Sequence, residues 1–339
     1  MIEAMFYERR EDDTVRCRLC NQHCKIEDGE RGFCGVRENH GGTLYTLVYG
    51  TVIAQHIDPI EKKPLFHFFP GTASFSIGTV GCNFRCSHCQ NADISQYPHN
   101  YGKIAGEQCQ PAEIVAAATV AGCFSIAYTY TEPTIFYEMA YDTAVEAHQA
   151  GLKNLFVSNG YLSAKAARHI APYLDAINID LKSFSDSFYQ DVCGARLKPV
   201  LKTIELMREL GVWLETTTLI IPGLNDGEQE LRDIARFVKS VGADIPWHVS
   251  RFHPAYQLTD RPPTPPATLH RAAEIGREEG LAYVYQGNIP GNEEHTHCHS
   301  CGSLVIERYG SKLIRNRLEA GRCPECGART PGVGMGGTS

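Results

Sequence analysis

The stretch Phe75-Ser76-Ile77-Gly78-Thr79-Val80-Gly81-Cys82-Asn83-Phe84-Arg85-Cys86-Ser87-His88-Cys89-Gln90-Asn91 is an apolar, strand-like run that breaks at glycine into three cysteines. Similar apolar, β-branched or aromatic runs follow at 124–130, 154–158, 176–181, 212–221, 247–252 and 281–285. Each reads as a buried strand. Helical-period segments lie between most of them, at Pro111–Gly122, Thr134–Gly151, Ser163–Tyr173, Pro199–Gly211, Gly227–Gly242 and Pro266–Gly280. Proline or a polar residue opens all but one of these segments and glycine closes most of them, in keeping with first-turn and C-cap preferences. The rhythm is a repeated βα unit, which predicts a parallel sheet covered by helices, either doubly wound or partly closed into a barrel. In both architectures ligands gather at the carboxyl ends of the strands. The three cysteines follow directly after such an end.

The chain has 339 residues, enough for one main α/β domain with small appendages. We expect a four-cysteine metal module over 1–50, the barrel over 51–292, and a zinc ribbon with a flexible tail over 293–339, where 287–294 forms a linker and the glycine-rich end from Gly332 is disordered. No apolar run approaches the roughly 20 residues of a membrane span, and no secretory leader is recognised, so the expected location is the cytoplasm. A net charge of -7 argues against a broad nucleic-acid-binding surface.

There are fourteen cysteines, eleven of them in three tight clusters, while Cys109, Cys123 and Cys193 stand apart with no role assigned. In a reduced compartment such clusters read as metal sites rather than disulfides. Cys82, Cys86 and Cys89, in Cys-x3-Cys-x2-Cys spacing, can hold three irons of a 4Fe-4S cubane, with no fourth cysteine nearby. The competing reading is a zinc site of three cysteines completed by His88 or by a distant residue. Cys298, Cys301, Cys323 and Cys326 form two Cys-x2-Cys pairs 21 residues apart, the pattern of a zinc ribbon, with rubredoxin-like iron as the alternative. Cys17, Cys20, Cys24 and Cys34 suit zinc or a second iron–sulfur cluster.

Polar groups cluster where the other strands end. They are Tyr130-Thr131-Glu132-Pro133, Ser158-Asn159-Gly160, Asp180-Leu181-Lys182, Glu215 to Thr217, and His248 with His253. Their bland readings are a helix-capping acid for Glu132, a solvated strand-end Lys182 and satisfied core histidines.

The cysteine motif, with Ile57-Asp58-Pro59-Ile60-Glu61-Lys62-Lys63-Pro64-Leu65, resembles the radical S-adenosylmethionine superfamily, its glycyl-radical-enzyme activating group, and within it the radical enzyme of the AmmeMemoRadiSam system. The resemblance implies a partial (β/α)6 TIM-like barrel, a 4Fe-4S cluster on Cys82, Cys86 and Cys89, and S-adenosylmethionine on its open iron. It further implies cofactor contacts from His88, Tyr130, Thr131, Glu132, Asn159, Asp180, Lys182, Glu215 and His248. His88 stands where the family carries an aromatic, and Tyr130 where it carries glycine. An electron donor such as flavodoxin or ferredoxin is implied. The substrate is either a partner protein, activated as a glycyl radical, or a small molecule, lipid or RNA; a non-catalytic metal-bound scaffold is the remaining alternative.

Overall fold

The computed structural model describes residues 1–289 and 294–336. Its centre is an eight-stranded sheet whose strands lie side by side in chain order. The strands are β1 (Ala54–Pro59), β2 (Ala73–Gly78), β3 (Ser125–Tyr128), β4 (Lys153–Ser158), β5 (Ala176–Asp180), β6 (Trp213–Ile220), β7 (Trp247–Arg251) and β8 (Val284–Gly287). From β2 onward every neighbouring pair is parallel, while β1 runs antiparallel to β2 with Ile57 opposite Phe75. Strands buried on both faces need continuous apolar runs, which is why β2 to β7 are legible in the sequence; the edge strand β8 begins three residues later than the run at 281–285.

The connecting helices α1 (Pro111–Val120), α2 (Tyr137–Gln149), α3 (Ala164–Ile170), α4 (Leu197–Glu209), α5 (Glu228–Val241) and α6 (Pro266–Glu278) occupy the expected segments. In α5 the buried residues Leu231, Ile234, Ala235 and Val238 recur at three- and four-residue spacing, the stripe of a helix packed on a sheet. At α1, Pro111 sits in the first turn and Glu113 accepts from the Gln110 amide at 2.7 Å. Among the described residues no helix is long and apolar enough to cross a membrane.

Residues 1–50 form two small antiparallel sheets, one from Ile2–Glu3, Arg37–His40 and Thr43–Thr46, the other from Tyr7–Arg9, Val15–Cys17 and Lys25–Ile26. They share the main core, since Val15, Leu19, Ile26 and Leu44 pack in the same cluster as the sheet residues. Polar contacts reinforce the junction. The buried Arg37 guanidinium pairs with Glu138 of α2, and Gln22 donates to the carbonyls of Asn83 and Gly194, each at 2.9 Å.

The carboxyl-terminal strands β9 (Thr296–His297), β10 (Leu304–Tyr309) and β11 (Lys312–Asn316) make an antiparallel ribbon. It closes the amino-terminal side of the main sheet together with the segment after β1. Arg308, wholly buried, donates to the Phe66 carbonyl (2.8 Å) and Thr296 Oγ1 (2.7 Å), lies 3.5 Å from the Glu61 carboxylate and covers the Phe66 ring. The expectation of a disordered end from Gly332 is corrected here: Val333 bridges Phe68 and Met335 is buried in the ribbon core. Backbone bonds of Val333 with His67 and Phe69 and the Asn316 bond to the Met335 carbonyl hold the segment, long-range contacts that its glycine-rich sequence does not announce. Half of the expected linker, 290–293, and the last residues, 337–339, lie outside the described residues.

His67 sits in this floor as a neutral imidazole. Its Nδ1 faces the Pro331 carbonyl at 2.7 Å and so must donate, leaving Nε2 to accept from the Tyr285 hydroxyl at 2.6 Å. Burial pushes its pKa down to about 4. A depressed histidine pKa contributes stability that is present above the unfolded value of about 6.5 and is lost as pH falls toward 4. The expected loss is on the order of 3 kcal/mol at pH 4. Thermal unfolding of wild type and His67→Gln between pH 7 and 4 checks this, because the variant lacks that part of the acid slope.

Candidate active site

Strand β2 delivers the chain to Gly81, whose left-handed backbone (φ 99°) turns it sharply. A Cβ at Gly81 would lie 2.6 Å from Val36, so glycine is required for packing as well as for conformation. The loop that follows presents Cys82, Cys86 and Cys89 to one cavity of about 730 Å³. Thr129, Tyr130 and Thr131 after β3, Ser158 and Asn159 at the end of β4, and Asp180 and Lys182 at the end of β5 line the same cavity. Thr217 and Leu219 of β6, Ser250 of β7 and Asn288 after β8 complete the arc. Because residues from both margins of the sheet, Asp58 on β1 and Asn288 beyond β8, line one cavity, the sheet curls around it.

The cysteine loop is held from several sides. The Phe84 amide donates to Cys82 Sγ at 3.4 Å, and Cys89 Sγ lies 3.3 Å from Ser95 Oγ. The Asn159 amide group reaches Asn83 Oδ1 at 2.7 Å. Backbone bonds from Arg85 to the Cys193 carbonyl (2.8 Å) and from Ser87 to that of Val192 (2.9 Å) bracket Cys86 and set Cys193 beside it. Burial raises the Cys82 and Cys89 thiols, whereas a hydrogen bond from Cys193 lowers that of Cys86, with Lys182 adding to the effect. Buried thiols with raised pKa give up their protons when a metal takes the sulfurs, which couples metal binding to proton release.

Lys182 Nζ pairs with Asp180 at 2.9 Å. Burial opposes its charge, but Asp180 and the neighbouring thiols hold it protonated well above the ordinary lysine value. His88 is buried, its pKa pushed down to about 3 by burial and then by Lys182, and its Nδ1 has no hydrogen-bond partner in the cavity wall. An unpartnered buried nitrogen is costly unless a bound group completes it. Three thiols around one cavity, together with this nitrogen, therefore fit an iron–sulfur cluster and a polar cofactor. All four ribbon thiols, Cys298, Cys301, Cys323 and Cys326, bring their sulfurs within 4.8 Å of one another, a set of single-ion size. Among the described residues the cavity thiols and His88 do not form such a set. Cys17, Cys20, Cys24 and Cys34 line a separate small apolar pocket, where Arg37 donates to Cys17 Sγ and the Phe33 amide to Cys24 Sγ, each at 3.4 Å.

Tyr130 has a left-handed backbone, with φ at 66°, a conformation that favours glycine. Such a conformation costs a bulky residue about 1–3 kcal/mol. Gly78 makes room for it, since a Cβ there would stand 2.7 Å from the Thr129 carbonyl and 3.2 Å from Tyr130 Cβ. The Tyr130 hydroxyl donates to Asp58 at 2.8 Å, and Asn91, two residues past Cys89, donates to the Tyr130 carbonyl at 2.6 Å.

Three sequence-based expectations change. Glu132 does not line the cavity: its carboxylate is wholly buried and accepts from the Thr134 and Asn159 amides and the Thr134 and Ser158 hydroxyls. It caps the turn that opens α2 and ties the ends of β3 and β4. Glu215 and His248 do not reach the cavity either. Their side chains pair at 2.7 Å one layer below it, where Glu215 also accepts from the Phe66 and His67 amides and Trp213 Nε1. His248 stacks there on Tyr285 and meets the Phe66 edge. Alternation assigns a face of a strand but not a depth, and the residues one layer up, Thr217 and Ser250, line the cavity instead. His253 is exposed beyond β7. Asp58, Lys62 and Lys63 reach the cavity with no role read for them from the sequence, although the motif containing them was the signal.

The Radical SAM superfamily pattern is matched by residues 76–238, which span β2 to α5 and contain the cysteine loop. An uncharacterized protein of Methanocaldococcus jannaschii is 50% identical over 333 residues, covering 97% of this chain and 98% of its own length. A second protein of that organism, provisionally named a glycyl-radical enzyme activating enzyme, is 28% identical over 177 residues, covering 50% of this chain and 70% of its own. The structure of Streptococcus suis SuiB bound to S-adenosylmethionine shares the fold, with a TM-score of 0.51 and 14% identity over 68% of this chain and 53% of that one. With the cysteine loop at the carboxyl edge of a parallel sheet and the matched segment spanning it, the chain carries a radical S-adenosylmethionine superfamily domain over residues 76–238.

Proposed function

We propose that this chain is a radical S-adenosylmethionine oxidoreductase that removes a hydrogen atom from its substrate, with Cys82, Cys86 and Cys89 as ligands of a 4Fe-4S cluster. The observation that carries this reading is the convergence of those three thiols, the unpartnered His88 Nδ1 and the Asp180–Lys182 pair on one cavity at the strand ends. When bound, the cluster and S-adenosylmethionine supply the electron and the 5′-deoxyadenosyl radical that the abstraction needs. The chain's own residues do the rest. Lys182 offsets thiolate charge beside Cys86, the Asn159 amide group fixes the cysteine loop, and Tyr130 to Thr131 set the wall on the β3 side. Glu132 acts as a positioning residue by holding the Ser158–Asn159 turn. The curl of the sheet favours a partial (β/α)6 barrel with a lateral mouth, bordered by the exposed His56, Ile57, Gln90, Asn91 and Asn288.

The Ile57–Leu65 motif supports placement in the AmmeMemoRadiSam group, and the distant likeness to an activating enzyme supports radical transfer to a partner protein as a second reading. The ribbon thiols, with sulfur pairs 3.6 and 3.7 Å apart, suit a structural zinc. We assign a cytoplasmic location and a flavodoxin- or ferredoxin-type electron donor.

Paramagnetic resonance of the anaerobically reconstituted, reduced protein tests cofactor chelation. The expected result is a cluster signal whose shape changes when S-adenosylmethionine is added. A signal indifferent to the cofactor contradicts an open iron in this cavity.

A further inference from the structure

The charged groups on the β1 margin of the cavity stand apart from the three cluster thiols and form a group of their own. Asp58 sits near the end of β1, Lys62 and Lys63 in the turn after it, and Tyr130 arrives from the end of β3. Asp58 Oδ2 accepts from Lys63 Nζ and from the Tyr130 hydroxyl, each at 2.8 Å, while Oδ1 faces Lys62 Nζ at 3.2 Å. Lys63 Nζ also lies 4.9 Å from the centre of the Tyr130 ring. Two ammonium groups around one carboxylate leave a net positive charge at the cavity wall.

A purely structural role explains this poorly. The Lys63 side chain is only 4% exposed, and a buried ion pair is generally no better for stability than apolar packing. Tyr130 accepts a left-handed backbone in order to place its ring and hydroxyl here. Strain and buried charge concentrated at a cavity wall are signs of a binding function. Among the described residues Lys63 Nζ has Asp58 as its hydrogen-bond partner and the Tyr130 ring as its other neighbour, so an ammonium with three donors retains capacity for a ligand.

The position is informative as well. Asp180 and Lys182 stand at the end of β5, four strands across the sheet from β1, and the cysteine loop rises between them from β2. Asn91 ties that loop to Tyr130, so the β1 group borders the site where a radical would form. Lys62 is exposed and stands at the mouth, while Lys63 lies within and can be reached only by a group that enters the cavity.

We propose that Asp58, Lys62, Lys63 and Tyr130 form the substrate end of the cavity, an anion-binding subsite that takes the carboxylate or phosphate of a small-molecule substrate. The two lysines attract and ligate the anion, Asp58 fixes their ammonium groups, and Tyr130 fixes Asp58. This rests on the radical reading of the same cavity and names the substrate class for it.

The test titrates inorganic phosphate, and separately acetate, into full-length cluster-loaded protein with S-adenosylmethionine bound, read by calorimetry and by phosphorus or carbon line widths. Saturable binding of at least one anion is expected, and the arm that binds tighter tells phosphate from carboxylate. Binding should weaken at least tenfold in Lys63→Met and severalfold in Lys62→Gln, with cofactor affinity unchanged. The exposed Lys62 position guards against a folding failure at Lys63. If neither anion saturates the wild type, or both variants bind as the wild type does, the subsite is refuted. A fall in cofactor affinity in place of anion affinity shows that the lysines hold the cofactor carboxylate, which overturns the subsite but not the radical reading. A chain that assembles no cluster overturns that reading, and the subsite's substrate role with it, before any anion is added.

Discussion

Arg308→Ala is expected to destabilise the protein by about 3–5 kcal/mol, measured by urea or thermal unfolding. The guanidinium is wholly buried and binds three elements at once: the Phe66 carbonyl after β1, the Glu61 carboxylate and Thr296 of the ribbon. Its loss leaves Glu61 buried with an uncompensated charge. Burial already raises the Glu61 pKa despite Arg308 and the Gly71 amide, so removal of the arginine drives it further toward the neutral acid. Arg308→Lys should recover part of the loss, because a single ammonium cannot reach all of these acceptors. A change below about 1 kcal/mol in Arg308→Ala would mean that water replaces the guanidinium and that the ribbon docks by its apolar contacts alone. The same contacts make removal of the whole ribbon a poor probe of its metal, since the floor of the main sheet would lose His67, Phe68 and Glu61 partners together.

The parts of the fold that the sequence made legible are those whose burial is continuous. Strands β2 to β7 are covered on both faces, so their apolar runs carry the signal without help from tertiary context, whereas the edge strand β8 is mostly half-buried and overlaps the apolar run 281–285 only at Val284 and Tyr285. Strand β1 is different: Gln55, His56 and Ile57 are all exposed, and the strand is recognisable only from its pairing with β2. The strands of residues 1–46 are two to four residues long, too short for any periodicity to register. At the cavity, cysteine spacing sufficed to locate the loop because the ligands are close in sequence. Glu132, Glu215 and His248 were misplaced for two physical reasons. A polar residue after a strand can fold under the cavity as a cap, as Glu132 does, and a strand presents several depths on one face, as Glu215 and Thr217 show. The Asp58–Tyr130 contact joins positions 72 residues apart, and nothing local announces it.

The most direct measurement of the central claim is product analysis after anaerobic reconstitution and chemical reduction. Wild-type protein should carry about four irons in the cavity cluster and convert S-adenosylmethionine to 5′-deoxyadenosine and methionine in equal amounts. The variant with Cys82, Cys86 and Cys89 all replaced by alanine should keep the wild-type circular dichroism, lack those irons and form no 5′-deoxyadenosine above the reagent background. Formation of 5′-deoxyadenosine by that triple variant at the wild-type rate, or its absence from iron-loaded wild type, would contradict the account.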